Sequence, residues 1–288
     1  MQFLYKMPGY LLLLFGGFCL SWGGFIVRSF ETTDAWEILL LRSFFFFLGV
    51  SVFLLSMYKK DALRTIKKAG LAGLLGGFVM SFSFIAFVFA MMNTSVANVV
   101  FIISTQTMFL AIFGYFYLKE KVSIIGLLSI VLAMMGITVM IGDSIAGGTL
   151  FGNLVALTIP ISFSILVMII RKNSNLDLIP AIWYASISSV IISLIMTNDL
   201  NFTNNDILMG FLLGVPQLTF GFVCITIGSR TTKSVTIGLL MLTETVFAPL
   251  WVWLFLNEIP PFSVLIGGTI IIFAIIVKSF DTKLINTA

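Results

Sequence analysis

Long apolar runs alternate with short polar breaks along the whole chain, and almost every charge sits in the breaks. A helix needs about 20 residues to cross the hydrocarbon of a bilayer. Ten runs of roughly this length can be read: 9–27, 36–57, 70–92, 96–117, 123–142, 149–170, 178–197, 206–228, 235–256 and 262–277. Lipid offers the backbone no hydrogen-bond partners, so such runs form helices rather than open strands. The expected fold class is an all-α polytopic membrane protein with ten transmembrane helices.

Composition agrees: 59% of the 288 residues are hydrophobic and 10% are charged. The connecting segments are too short for a soluble catalytic or DNA-binding domain. The net charge of +4 is explained by where the charges fall. With the N-terminus placed in the cytoplasm, 14 of the 16 basic residues lie in cytoplasmic segments, leaving Arg28 in an outer loop and Arg42 inside the second span. This is the positive-inside pattern, and it puts both termini in the cytoplasm. The basic excess is therefore a topology signal, with no nucleic-acid partner implied. The first span lacks a small-residue cleavage site and reads as a retained helix. No histidine is present, which rules out a His-based metal site or proton relay, and Cys19 and Cys224 fall inside spans as core filler.

The chain also repeats itself. Shifted by 138 residues, "LLGGFVMSFSF" (74–84) falls on "LLGVPQLTFGF" (212–222), "STQTMF" (104–109) on "LTETVF" (242–247), and "FYLKE" (116–120) on "LFLNE" (254–258). Apolar matches alone are common by chance, but one ungapped register carrying Thr and Glu through three helices is not. Two domains of five spans each are expected, 1–145 and 146–288. Five is odd, so the second enters the membrane inverted. Inverted repeats of this kind recur in secondary transporters, whose substrate sites lie near the bilayer midplane between the halves.

Ten spans in a 5+5 arrangement, "LSWGGFIV" (20–27) in the first span, the arginine of "LLLRSFFFF" (39–47), and the helix endings "YLKE" and "FLNE" resemble the EamA-type drug/metabolite transporters. The resemblance covers essentially the whole chain. It implies a multi-pass protein of the bacterial inner membrane that moves amino acids, other small metabolites or toxic organic compounds. The family commonly carries proline after the Gln or Glu of spans 4 and 9. Here Thr107 and Thr245 stand in those places, with Pro249 one turn later.

The most telling single residue is Glu244, nine residues into an otherwise uncharged span, with Gln106 as its repeat mate at the same depth. A carboxylate at mid-membrane costs about 2.5–3.5 kcal/mol on translocon scales, so it faces a cavity or a partner. Either it binds an amine-bearing cargo or carries a coupling proton, or it is a neutral acid bonded to a neighbouring hydroxyl. Asn98 and Thr105 match Thr236 and Thr243 on one helical face, a polar stripe that lines a pathway or glues helices. Trp22 is a candidate for stacking on cargo, and Ser81, Ser83 and Thr219 add polarity at matched positions. Arg42 lies about 9 Å from the outer surface, against roughly 13–16 Å for Glu244. It is expected to snorkel or to pair with Asp34 or Glu31 as an outer gate. Pro160, Pro216 and Pro249 are expected kinks, and Ala72/Gly76 with Gly210/Gly214 are expected close-packing positions.

The expected function is a secondary transporter of a small organic metabolite, amine-bearing or amino-acid-like, working by alternating access with a proton or ion as possible coupling partner. No cofactor and no metal are called for, and the sequence contains no GxxxxGK[ST] loop for ATP. The alternatives are an exporter of toxic organic compounds, a channel, or an intramembrane enzyme. The last needs a base beside a nucleophile or paired carboxylates, which this sequence does not place in its spans.

Overall fold

A computed structural model describes residues 3–94, 96–141, 150–197, 200–256 and 262–279. Every regular element among them is helical. In chain order these are α1 (Gly9–Leu20), α2 (Gly23–Arg28), α3 (Ala35–Tyr58), α4 (Ala62–Asn93), α5 (Val96–Ser104), α6 (Gln106–Leu118) and α7 (Ile124–Ile141). Then follow α8 (Leu150–Lys172), α9 (Ile179–Met196), α10 (Asn204–Leu212), α11 (Phe220–Ser229), α12 (Ser234–Leu256) and α13 (Phe262–Ser279). A π-helical turn, Leu213–Thr219, joins α10 to α11.

Local chemistry sets the ends. Asp34 caps α3 by accepting from the Trp36 N–H at 2.8 Å, and Thr203 with Asp206 forms a reciprocal capping box at the start of α10. Lys119 takes a left-handed conformation and stops α6. Gly70 also has positive φ (+52°), a conformation that favours glycine; it sets the basic arm Ala62–Ala69 off from the apolar length of α4.

Among the described residues, seven helical stretches are long and apolar enough to cross a membrane. One of them, Ala35–Asn93, spans 59 residues. At 1.5 Å per residue it would be about three times the hydrocarbon thickness if straight. The chain instead turns back between α3 and α4, at Lys59–Asp61. Two shorter apolar helices, Ile124–Val139 and Leu265–Lys278, complete the apolar set. The protein is thus an all-helical, multi-pass membrane protein.

The 138-residue offset maps the bounds of α5–α6 (96–118) onto α12 (234–256), and those of α7 (124–141) onto α13 (262–279). Helix contacts follow the same map. The α4–α8 contact has its mate in α1–α11, α6–α8 in α1–α12, and α4–α9 in the packing of α3 on α10 and the π turn. The α3–α9, α6–α12 and α7–α13 contacts map onto themselves.

The seams of α3 against α10 and the π turn, and of α4 against α9, are tight enough to exclude any side chain. A Cβ on Gly214 would lie 2.5 Å from Phe45 Cβ and 2.6 Å from the Phe46 backbone nitrogen, and one on Gly210 would lie 2.7 Å from Leu41 Cβ. These are the α10 and π-turn glycines expected to pack closely. In α4 the tight position is one residue later than expected. Gly77 would meet Tyr184 Cβ at 2.5 Å, whereas Gly76 meets only side-chain carbons at 3.1 Å and beyond. Helix pitch turns Gly77 onto the α9 backbone, while Gly76 sits between α8 and α9 against Leu166 and Ala181. A third crossing joins α6 to α12, where Thr107 Oγ1 donates to the Gly238 carbonyl at 3.1 Å. Threonine thus supplies a strap between these helices.

Pro160 sits inside a continuous α8, while Pro216 lies in the π turn. The Pro249 side chain, the 145/146 domain junction and Glu258 lie outside the described residues.

Candidate functional site

Where α1, α3, α4, α5, α6, α8, the π turn, α11 and α12 converge, they line a cavity of about 40 Å³. Its polar side chains are Arg42, Ser83, Gln106, Gln217 and Glu244, and Phe84, Phe87, Phe163 and Phe222 supply aromatic wall. Roughly three waters fit in such a volume.

Arg42 is 2% exposed. Its Nη1 donates to the Phe84 carbonyl at 3.1 Å, and its guanidinium lies 4.7 Å from the Phe87 ring centroid and 5.6 Å from that of Phe84. A buried cation is costly unless hydrogen-bonded or faced by π density, and α4 provides both. Glu244 lines the same cavity from α12. Among the described residues the single ion pair is Arg171–Glu120, so the buried arginine and the mid-span acid share a chamber without pairing. Gln106, 3% exposed, lines it from the first turn of α6.

The expected placement of Arg42 is therefore corrected. It neither snorkels nor pairs with Asp34, which is occupied in capping α3. Counting residues from a helix end measures backbone depth only, and a long side chain turns inward when the neighbouring helix offers a carbonyl and two ring faces.

The other candidates divide. The hydroxyls of Thr105, Thr243, Ser81 and Thr219 donate to the carbonyls of Ile102, Leu240, Phe78 and Gly214, each on its own helix. None of the four lines the cavity. Trp22 also stands apart from it, stacked on Trp251 at 4.0 Å between centroids. Trp251 in turn donates Nε1–H to Ser21 Oγ at 2.7 Å, at the break between α1 and α2. The side chain of Asn98 lies outside the described residues. Cys19 and Cys224 are buried free thiols. Gln217 and the four phenylalanines were not among the candidates read from sequence. A carboxamide in mid-span beside a proline was the available signal for Gln217.

One end of the bundle is held by a polar network. Glu120 pairs with Arg171, and its Oε2 accepts the Ser234 N–H at 3.0 Å. Arg171 also donates to the Thr232 carbonyl. Beside it Tyr5 and Tyr58 both donate to Asp177. Burial, with the Asp177 carboxylate next to it, pushes the Tyr5 hydroxyl above its usual range and keeps it a donor. At the opposite end Asp206 accepts from the backbone N–H groups of Glu31 and Thr32. Arg171→Met is expected to cost about 3 kcal/mol, because it strands Glu120 in a largely buried site. The double variant with Glu120→Met recovers most of that, as read by thermal unfolding in detergent.

The model of the EamA-like transporter family matches this chain twice, over residues 7–142 and 150–280. The chain belongs to the EamA-like transporter family. A relative from Clostridium kluyveri, described as an uncharacterized transporter, is 26% identical over 262 residues, covering 83% of each chain. A solved crystal structure superposes with a TM-score of 0.78 at 14% identity, covering 94% of this chain and 96% of that one, which shows a shared fold. This EamA-like protein is a membrane transporter of a small molecule, and its buried cavity is the candidate place for that molecule.

Proposed function

We propose that this EamA-like transporter is a secondary transporter that moves a small amine-bearing metabolite, amino-acid-like in character, across the bacterial inner membrane by alternating access. Its units are two inverted five-helix repeats, 1–145 and 146–288, making ten crossings with both termini in the cytoplasm. The mirrored helix contacts and the doubled family match support this division.

The observation that carries the reading is the meeting of Arg42 and Gln106 from the first half with Glu244 and Gln217 from the second in one buried cavity. A guanidinium and a carboxyl group lining one cavity suit a molecule that itself carries both charges, since its carboxylate and ammonium then replace water at each. A simple anion or cation leaves one charge unanswered in a site where an unmatched charge is expensive. The phenylalanine walls suit an apolar body between the charged ends. The cavity has room for only a few waters, so it must widen to admit cargo, as the halves do when they part in alternating access.

Glu244 holds the ammonium of the cargo or exchanges a proton during the cycle, and Arg42 holds the carboxylate. Purified protein in liposomes, given a panel of zwitterionic, cationic and anionic metabolites under proton or sodium gradients, tests this directly. Saturable uptake competed best by zwitterions is expected. Flux that rises linearly with concentration indicates a channel instead, and competition by anions alone removes Glu244 from the binding site.

A further inference from the structure

Gln217 sits where two helix irregularities meet. Pro216 has no N–H to give the helix, and the backbone widens there into the π turn Leu213–Thr219. Such bulges gather at functional sites because they re-aim one side chain out of register with the rest. On the facing strand of chain, α1 stops at Leu20. Gln217 reaches across and donates its Nε2–H to the Leu20 carbonyl at 3.2 Å.

That bond settles which way the amide lies. A carbonyl only accepts, so the nitrogen of Gln217 must face Leu20, and the amide oxygen is the end left over. Gln217 is 3% exposed, and its Oε1 has no hydrogen-bond partner among the described residues. Of the side chains lining the cavity, the only other buried polar atom in that condition is Arg42 Nε. Two polar atoms on cavity-lining side chains, an acceptor and a donor, are thus fully buried with no partner among the described residues, a state that native interiors rarely keep without a water or a ligand.

We propose that Gln217 is a specificity-determining residue, whose Oε1 accepts an N–H from the ammonium of the cargo and makes the site selective for primary amines. The inference rests on the amine-bearing cargo proposed above. Glu244 answers the charge of an ammonium whether or not its nitrogen is methylated. Gln217 answers only an N–H, which a trimethylammonium group lacks. Charge and hydrogen bonding are thereby read by different residues. Sites that present a buried polar group discriminate strongly against analogues that leave it unpaired. Gly23 supports the arrangement, because a Cβ there would come within 2.9 Å of Gln217 Nε2.

The test measures binding of the primary, N-methyl and N,N,N-trimethyl forms of leucine and of phenylalanine to the purified full chain. Wild type is expected to bind each primary form at least tenfold more tightly than its trimethyl form. Gln217→Leu should weaken the primary forms about tenfold and leave the trimethyl forms unchanged, flattening the series. Gly23→Ala, which displaces the amide without removing it, should flatten it as well and serves if Gln217→Leu does not fold. Full discrimination retained in either folded variant overturns the role of Gln217 while leaving the amine-bearing cargo intact. A wild type that binds no form of either compound overturns both readings together.

Discussion

Glu244→Gln lowers the initial rate of transport in liposomes by roughly 10- to 100-fold, the worth of a charge-assisted hydrogen bond of about 1.5–3 kcal/mol. Glutamine keeps the volume and the hydrogen-bonding reach of the acid but removes its charge and its proton. The loss therefore isolates electrostatics from packing. Two assays divide the proposed roles. If the acid carries a proton, the variant loses uptake driven by a pH gradient yet still exchanges labelled for unlabelled cargo across the membrane. If the acid holds the ammonium, both activities fall together. Rates within twofold of wild type in both assays would remove Glu244 from the cycle.

The second large effect concerns folding. Gly77→Val and Gly214→Val each drive a branched side chain into backbone: the Ala181 carbonyl lies 2.6 Å from a Cβ on Gly77, and the Arg42 carbonyl 2.7 Å from one on Gly214. Backbone cannot step aside as a flexible side chain can, so the cost reaches or exceeds the upper part of the usual 1–3 kcal/mol range for overpacking. Both variants are expected to give little monodisperse protein in size-exclusion chromatography. Gly268→Ala is the control, because nothing lies within 4 Å of its Cβ position. It should match or slightly exceed wild type, since alanine is the better helix former. Normal behaviour of both valine variants would show that these seams yield to a branched side chain.

Much of this architecture was legible in the sequence because membranes impose one-dimensional rules. Apolar length gives helices, and a constant offset aligns α12 with α5–α6 residue for residue. The depth match between Gln106 and Glu244 came from the same offset, and both residues line the cavity. What stayed hidden depends on partners that no spacing names. The hydroxyls of Thr105 and Thr243 share a helical face, but each is spent on the turn below it. Trp22 looked available for stacking because its partner Trp251 lies 229 positions away in the chain. Gln217 has no polar repeat mate, since the offset places Val79 opposite it, so the symmetry that exposed Glu244 was silent there.

The carboxylate of Glu120 grips Arg171 with one oxygen and the first N–H of α12 with the other. Ten residues further along the same helix, about 15 Å away, stands Glu244. A helix is stiff over that distance, so a displacement of α12 at Glu120 would carry through to the depth of Glu244. In the alternating-access cycle proposed above, the ion pair at one end of the bundle and the acid lining the cavity would therefore be mechanically linked through one helix.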